Sequence, residues 1–500
     1  MNKIIPAPLQ VTPAAGQFRF RAGTRVEYAA LLAPLVDRFC RDVARRTGLW
    51  LDPFIVGRDT LAARGPAIRV ELLDAPELRA LPTPLGVSPL GKVTADERYS
   101  LTIGTDRIVL RAIETAGLAR GLTTLLQLLG TTERSPEDGI TLGATRILDA
   151  PRFAWRALTV DLARSFFTLG EVKRIVDLVA LYKLNVLHLH LTDDQGWRIQ
   201  AGRPPKHRIP DGSFYTNGEL RELVAYAAER FVTILPEFAS PGHAGALLRL
   251  RPELATGRNR YNGSAWLDPE LPATFKLIEA VLDEIAGVFP GPFIDIGADE
   301  PPGMPENLYV KCVGRARSFL RSLGKRTVGR QESIRAGTEP DHVIHYRVSA
   351  NGKNDLEKAL KNAVPVIVSP LGNAQFDVPY AEVSVDHAQE QRRSRVGLRS
   401  YSPQTVAQSF DWEPADALGP LAKPRGVAGV GAAIWGDTIH DFPDLTFMLL
   451  PRLAGVAHKA WSRPDANAWA THRSSLTAHC RLWEQDELTY FKSSIVDWPA

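Results

Sequence analysis

Apolar and polar residues alternate with one period at the start of this chain and with another later on, and the change of period divides it. Before residue 149 the alternation is strand-like in Gln17–Arg21, Ala67–Leu73, Tyr99–Ile103 and Ile108–Arg111, the period of two that suits a sheet with one covered face. Gly104–Arg107 supplies the Gly and Asp of a hairpin between the last two. Leu118, Leu122, Leu125 and Leu126 then share one helical face over Gly117–Leu129. Strands followed by a helix predict a smaller α+β domain at residues 1–148.

From Asp149 strand-like and helix-like stretches take turns. The candidate strands are Ala157–Ala163, Leu184–Leu191, Val232–Phe238, Phe293–Gly297, Thr327–Gln331, His342–Val348, Val364–Ser369 and Val427–Trp435. Thr168 and Glu171 have capping-box spacing ahead of Val172, Ile175, Val176, Val179 and Tyr182. Asn217 is expected to cap a second helix with Leu220, Leu223, Val224 and Ala227 on its apolar face. This α/β pattern over 149–464 predicts a (β/α)8 TIM barrel. A doubly wound sheet is the competing architecture, but no G-x-G-x-x-G follows the first strand. Residues 465–500 predict a C-terminal helical extension, around Trp469–Trp483, packed on the barrel.

Composition narrows the function. At 44% hydrophobic and 23% charged the 500 residues suit large packed cores, not disorder. Sixty Lys and Arg against 56 Asp and Glu leave a net charge of +4, too slight an excess to argue for a nucleic-acid partner. Cys40, Cys312 and Cys480 are too scattered for a disulfide framework or a thiolate zinc site. The N-terminal MNKIIPAPLQVTP lacks the apolar stretch of about 7–15 residues that a secretory signal needs. No run reaches the roughly 18 apolar residues of a membrane span. The expectation is a cytoplasmic protein with no membrane partner; the oligomeric state is left open.

Polar residues crowd the C-terminal ends of the candidate strands, where barrel enzymes keep their sites. These ends are Asp161 to Arg164, His188 to Arg198, Glu237 with His243 beyond it, Asp299-Glu300, and Trp435-Gly436-Asp437. Carboxylates, His, Arg and Trp without a nucleophilic Ser or Cys motif point to sugar chemistry. Glycoside hydrolysis needs an acid for the leaving oxygen and a second group for an oxocarbenium-like centre. Trp faces receive sugar rings, and Arg and Asp hold hydroxyls. The rival is a metal-dependent hydrolase, because His188 and His190 form an H-x-H pair, but its other expected ligands are not evident. Neither a metal nor a cofactor is expected.

The stretches LTVDLARSFF, LVALYKLNVLHLHLTDDQGWRIQ, AYAAERFVTILPEFASPGHAGALL, FIDIGADE, AAIWGDT and PRLAGVAHKAWS, in that order, resemble family 20 glycoside hydrolases, the β-N-acetylhexosaminidases. YSLTI, IVLRA and GLARGLTTLLQLL resemble that family's N-terminal domain. The resemblance implies a retaining exo-glycosidase acting on an amino-sugar substrate, with the 2-acetamido oxygen as the nucleophile. It implies that Asp299 orients the acetamide and that Glu300 is the general acid-base. It further implies that Arg164 holds hydroxyls, that His243 lies near the acid, that Trp435 floors the sugar site and that Asp437 binds outer hydroxyls. A catalytically weak carbohydrate-binding or biosynthetic relative is the alternative.

Asp437 stands where the family has a Glu, and the other departures from the family pattern fall around the C2 group. Ala239 stands where the family has an Asp, which predicts a His243 without that partner, and Ala298 stands where it has a second Gly. Arg330 and Arg347, the latter after Tyr346, replace the two tryptophans that wall the acetamide. Gln375 replaces a Tyr, while Asp377 is kept. Two guanidiniums in place of two indoles predict a substrate pocket suited to an acidic C2 substituent.

Overall fold

The computed structural model describes residues 3–57, 65–87, 95–135, 137, 139–200, 212–261, 264–299, 301–339, 341–347, 352–421, 427–465 and 468–499. Glu300 and the last residue of the sixth predicted barrel strand, Val348, lie outside them.

The N-terminal unit is a seven-stranded mixed sheet in the order β1-β7-β5-β6-β4-β2-β3. Its strands are β1 (Gln10–Phe20), β2 (Thr24–Tyr28), β3 (Leu51–Ile55), β4 (Ala67–Leu72), β5 (Tyr99–Ile103), β6 (Arg107–Ala112) and β7 (Ile140–Asp149). The predicted hairpin joins β5 and β6 antiparallel, with Ile103 opposite Ile108. Helices Ala33–Thr47 and Thr115–Gly130 share a core with the sheet, through Val36, Phe39 and Val43 from one and Leu118, Leu122, Leu125 and Leu129 from the other.

The barrel closes from β8 (Trp155–Asp161), β9 (Val186–His190), β10 (Thr233–Ser240), β13 (Phe293–Gly297), β14 (Arg326–Arg330), β15 (His342–Tyr346), β16 (Val366–Val368) and β17 (Val427–Ile434). A two-stranded ribbon, β11 (Arg260–Tyr261) and β12 (Ser264–Ala265), lies in the excursion after β10. Every barrel pairing is parallel. The strands are therefore covered on both faces, with Leu158, Val160, Leu187 and Leu189 toward the helices. The Thr168–Glu171 capping box forms as expected. The second helix is capped instead by Thr216, reciprocally with Glu219, and Asn217 is its first residue. A hydroxyl reaching the third backbone N–H closes the box that the neighbouring Asn leaves open.

Buried charges join the two units. Asp149, at the end of β7, accepts from Lys183 Nζ (3.0 Å), Tyr99 Oη (2.6 Å), Leu9 N (2.9 Å) and Trp461 Nε1 (3.0 Å). Glu97 accepts from Arg120 (2.7 Å) and Arg156 (2.6 Å). The C-terminal helix, Ala468–Gln485, touches both units, with Trp483 Nε1 donating to Tyr182 Oη at 2.7 Å and Leu482 against Gly130. Among the described residues no helix is long and apolar enough to cross a membrane.

Candidate active site

The first strand end is built around Asp161. Its carboxylate accepts from the backbone N–H groups of Ala163, Arg164 and Gly436, each at 3.0 Å, so it folds one strand-end turn and ties it to the last strand. That turn aims Arg164 across the mouth, where its guanidinium meets Asp161 (2.6 Å), Asp193 (2.9 Å) and Asp437 (3.5 Å).

A chain of imidazoles and carboxylates runs beneath it. Glu237 Oε1 lies 3.1 Å from His190 Nδ1, and His190 Nε2 lies 2.7 Å from Asp193. Asp193 also meets His243 Nδ1 at 3.1 Å, and His243 Nε2 is 3.8 Å from Asp299. Ala239 therefore does not leave His243 without a carboxylate: Asp193, reached from the loop after β9, takes that place. Burial opposes protonation of His190, but Glu237 and Asp193 outweigh it and push its pKa up to about 10. Asp193 and Asp299 are also affected by burial, and the cations facing each hold both carboxylates far below the usual range.

Asp299 is aimed inward by two consecutive left-handed residues, Gly297 (φ +67°) and Ala298 (φ +58°). The second carries a side chain where glycine is unstrained, and its carbonyl is fixed by Tyr309 Oη at 2.7 Å. The Asp299 carboxylate lies between the two arginines in question: Arg330 Nε is 3.3 Å away and Arg347 Nη2 donates to its other oxygen. Arg330 is 1% exposed and also meets Glu237 (3.2 Å) and His345 Nδ1 (2.8 Å), whereas the Arg347 side chain is 27% exposed. Trp435 packs beneath Arg330 and Arg347, with each guanidinium carbon 5.5 Å from its ring.

These groups enclose a cavity of about 170 Å³ lined by Arg164, His190, Asp193, Glu237, His243, Asp299, Arg330, Arg347, Asp377, Leu398, Tyr401, Trp435 and Asp437. Of the residues expected in the site, Tyr346 and Gln375 are not on this wall. Side chains alternate along β15, so placing His345 inside the barrel turns Tyr346 into the apolar layer under the helices. Gln375 is buried behind Trp435 and accepts from its indole N–H at 2.9 Å. His190, Asp193 and Glu237 have no role assigned from sequence, although their crowding at strand ends marks them. Leu398 and Tyr401 carry no sequence signal. A larger cavity of about 380 Å³ opens at the opposite barrel end among Trp155, Phe231 and Phe293, and Glu97, the one carboxylate among the described residues that line it, is taken by Arg120 and Arg156.

Of the H-x-H pair, His190 does not offer a metal a lone pair. Both His190 nitrogens face carboxylates, which makes the ring an imidazolium without a free lone pair. His188, Asp295 and His345 approach one another in the barrel interior. There His188 Nε2 meets Glu237 at 2.9 Å, and Arg330 donates to His345 Nδ1, so the neutral ring carries its proton on Nε2.

Asp377 is 1% exposed, and neither carboxylate oxygen has a hydrogen-bond partner among the described residues. Burial pushes its pKa from 3.8 up to about 6. The folded chain thus holds this proton more tightly than the unfolded one. The penalty for ionising it is absent below pH 3.8 and complete above about pH 6. Asp377→Asn is expected to raise the unfolding free energy at pH 7 by up to about 3 kcal/mol, and to add little below about pH 4. Urea midpoints at both pH values check this; a variant no more stable at pH 7 contradicts it.

Comparison with known proteins gives a consistent answer. Residues 153–312 and 304–464 match the model of the glycosyl hydrolase family 20 catalytic domain, and 1–150 match that family's domain 2. The chain is 35% identical to a β-N-acetylhexosaminidase of Cellulomonas fimi over 81% of its own length and 82% of the relative's. It is 31% identical to a β-hexosaminidase of Vibrio furnissii, over 91% and 76%. The structure superposes on the family 20 β-N-acetylhexosaminidase of Streptomyces coelicolor with a TM-score of 0.84 at 28% identity, covering 100% of this chain and 99% of that one. A Streptomyces plicatus β-hexosaminidase variant, in complex with its product GlcNAc, gives the same TM-score at 29% identity, covering 100% and 98%.

Proposed function

Because this chain belongs to glycosyl hydrolase family 20, we propose that it is a retaining, exo-acting glycosidase whose C2 pocket takes an acidic N-acyl group in preference to a plain acetamide. The observation that carries the reading is the pair Arg330 and Arg347 on the wall of the polar cavity, with Asp299 between them. An acetyl methyl entering there meets guanidinium instead of indole, and an apolar group against desolvated charge gains nothing.

The reaction class sets the roles. The acyl oxygen of the substrate attacks C1 while Glu300 protonates the departing oxygen, so the glycosidic bond breaks as a bicyclic oxazolinium ion forms. Asp299, ionised, offsets the positive charge that develops on the acyl nitrogen. Glu300 then takes a proton from water, which attacks C1 from the face the leaving group left, and two inversions give retention. Arg164, Trp435, Asp377 and Asp437 hold the ring and its hydroxyls.

The charges of both arginines are already offset by carboxylates of the protein. An acidic substituent therefore has to share Arg347, the more exposed of the two, with Asp299. Such a contact is charge-assisted and able to be bidentate. The test is Arg347→Trp, expected to shift kcat/KM toward the plain N-acetyl glycoside by at least about tenfold, the effect of about 1.4 kcal/mol. An unchanged ratio removes Arg347 from C2 recognition. Arg330→Trp is a poorer test, because it also removes the cation that faces Glu237 and Asp295 in the barrel interior.

The same clamp supports one second reading, a catalytically weak sugar-binding relative, since an Asp299 held by two arginines is less free to face an acyl group. Saturable binding without turnover of any glycoside favours that reading.

A further inference from the structure

Asp299 belongs to a closed ring in which carboxylates and cations take turns. From Asp299 it runs to His243 Nε2 (3.8 Å), and from His243 Nδ1 to Asp193 (3.1 Å). It continues through His190 (2.7 Å from Asp193) and Glu237 (3.1 Å from His190) to Arg330 (3.2 Å from Glu237). Arg330 Nε closes it on Asp299 at 3.3 Å. Burial opposes charge on both imidazoles, and the carboxylates on either side outweigh it, raising both pKa values to about 10.

The ring does not by itself decide how Arg330 stands in it. The buried guanidinium has Glu237, Asp295 and Asp299 around it, and Coulomb attraction to three carboxylates leaves open which nitrogen faces which. A neutral side chain makes the choice. The parallel register of β14 and β15 sets Arg330 beside His345, and Nη1 donates to His345 Nδ1 at 2.8 Å, closer than the guanidinium comes to any of the three carboxylates. Burial first, and then the charge of Arg330 itself, keeps the His345 ring uncharged, which leaves Nδ1 its lone pair. A competing acceptor lies in reach of the same donor. Asp295 Oδ2 is 3.9 Å from Arg330 Nη1, and it is buried without a hydrogen-bond partner among the described residues.

We propose that His345 is a positioning residue for Asp299: by accepting from Arg330 Nη1 it fixes the guanidinium in the orientation that spans Glu237 and Asp299 and closes the ring. Without that acceptor Nη1 turns to Asp295, and Nε is drawn off Asp299. Arg347 and His243 then hold the carboxylate alone, away from the place where charge develops on the acyl nitrogen. The inference rests on the reaction proposed above, in which Asp299 faces that nitrogen.

His345→Asn and His345→Gln offer the same amide at two places. The asparagine oxygen stands where Nδ1 stands, and the glutamine oxygen reaches out to the place of Nε2. On a hydrolysed 4-nitrophenyl glycoside His345→Asn is expected to keep kcat close to that of the parent. His345→Gln should lower it about tenfold to hundredfold, the cost of misplacing a group by about 1 Å at the reacting centre. KM should change little in either, because the contacts that bind the ground state are untouched. A crystal structure of His345→Gln reads the same point without substrate: Arg330 Nη1 is expected on Asp295, with Nε out of ion-pair reach of Asp299. Equal kcat in the two variants, or a His345→Gln structure with Arg330 still on Asp299, overturns the proposal. Loss of turnover in His345→Asn overturns it alone, whether or not His345→Gln folds. If the wild type cleaves no glycoside, the reading of the activity fails, and the crystal structure still decides whether His345 places Arg330.

Discussion

Glu300→Gln is expected to lower turnover by about two to four orders of magnitude on a glycoside with an ordinary alcohol leaving group. The loss comes from the proton: an alkoxide departs poorly, and a glutamine amide has no acidic hydrogen to give it. A nitrophenolate departs nearly unaided, so the first step should suffer far less on nitrophenyl substrates. The neighbouring Asp299 is held ionised by Arg347, His243 and Arg330 against its burial. Rates compared across leaving groups of graded acidity check the assignment. Equal losses on every leaving group would remove Glu300 from the role of acid.

The second large effect concerns stability. Lys183→Met is expected to cost about 3–5 kcal/mol, the penalty for leaving a buried charge without its partner. Lys183 and Asp149 are both fully buried, between the N-terminal sheet and the barrel. Methionine matches the lysine stem in length but offers nothing to Asp149 Oδ2, which then keeps only Tyr99 Oη. Adding Asp149→Asn should recover part of the loss, because the backbone N–H of Leu9 and the indole of Trp461 can still donate to the amide oxygen. Urea denaturation of both variants measures this. A single variant as stable as the parent would show that the pair contributes nothing to joining the units.

How much of this is legible in the sequence depends on the range of the interaction concerned. Barrel strands buried on both faces read as short apolar runs, so Phe293–Gly297 and its counterparts are visible from sequence alone. In the N-terminal unit the helix Ala33–Thr47 is hidden by its many charged positions (Asp37, Arg38, Arg41, Asp42 and Arg45) and by a start, at Leu32, that has no side-chain cap. Strand β3 is hidden by Pro53, tolerated only because the strand is at the sheet edge. Side-chain alternation decides the fates of Tyr346 and His345, and it could have been applied from sequence once the strand was fixed. The pairing of His243 with Asp193 spans 50 residues and the mouth of the barrel, and the arrival of Tyr401 depends on where a loop returns. Neither leaves a local trace. The roles proposed for Asp299 and Glu300 come from the resemblance to a family and not from spacing.

The rewritten C2 pocket is tested most directly on the wild-type protein by comparing kcat/KM for 4-nitrophenyl N-acetyl-β-glucosaminide with that for its N-oxalyl and N-malonyl counterparts. These keep the acyl oxygen that attacks C1 and add a carboxylate for Arg347. The acidic substrates should be preferred by about tenfold or more, the effect of one charge-assisted hydrogen bond. The preference should shrink as salt is raised, but less than for an exposed ion pair. If the plain N-acetyl glycoside is cleaved as well as any other and the acidic analogues neither react nor compete, the arginines do not read the C2 group and the account is contradicted.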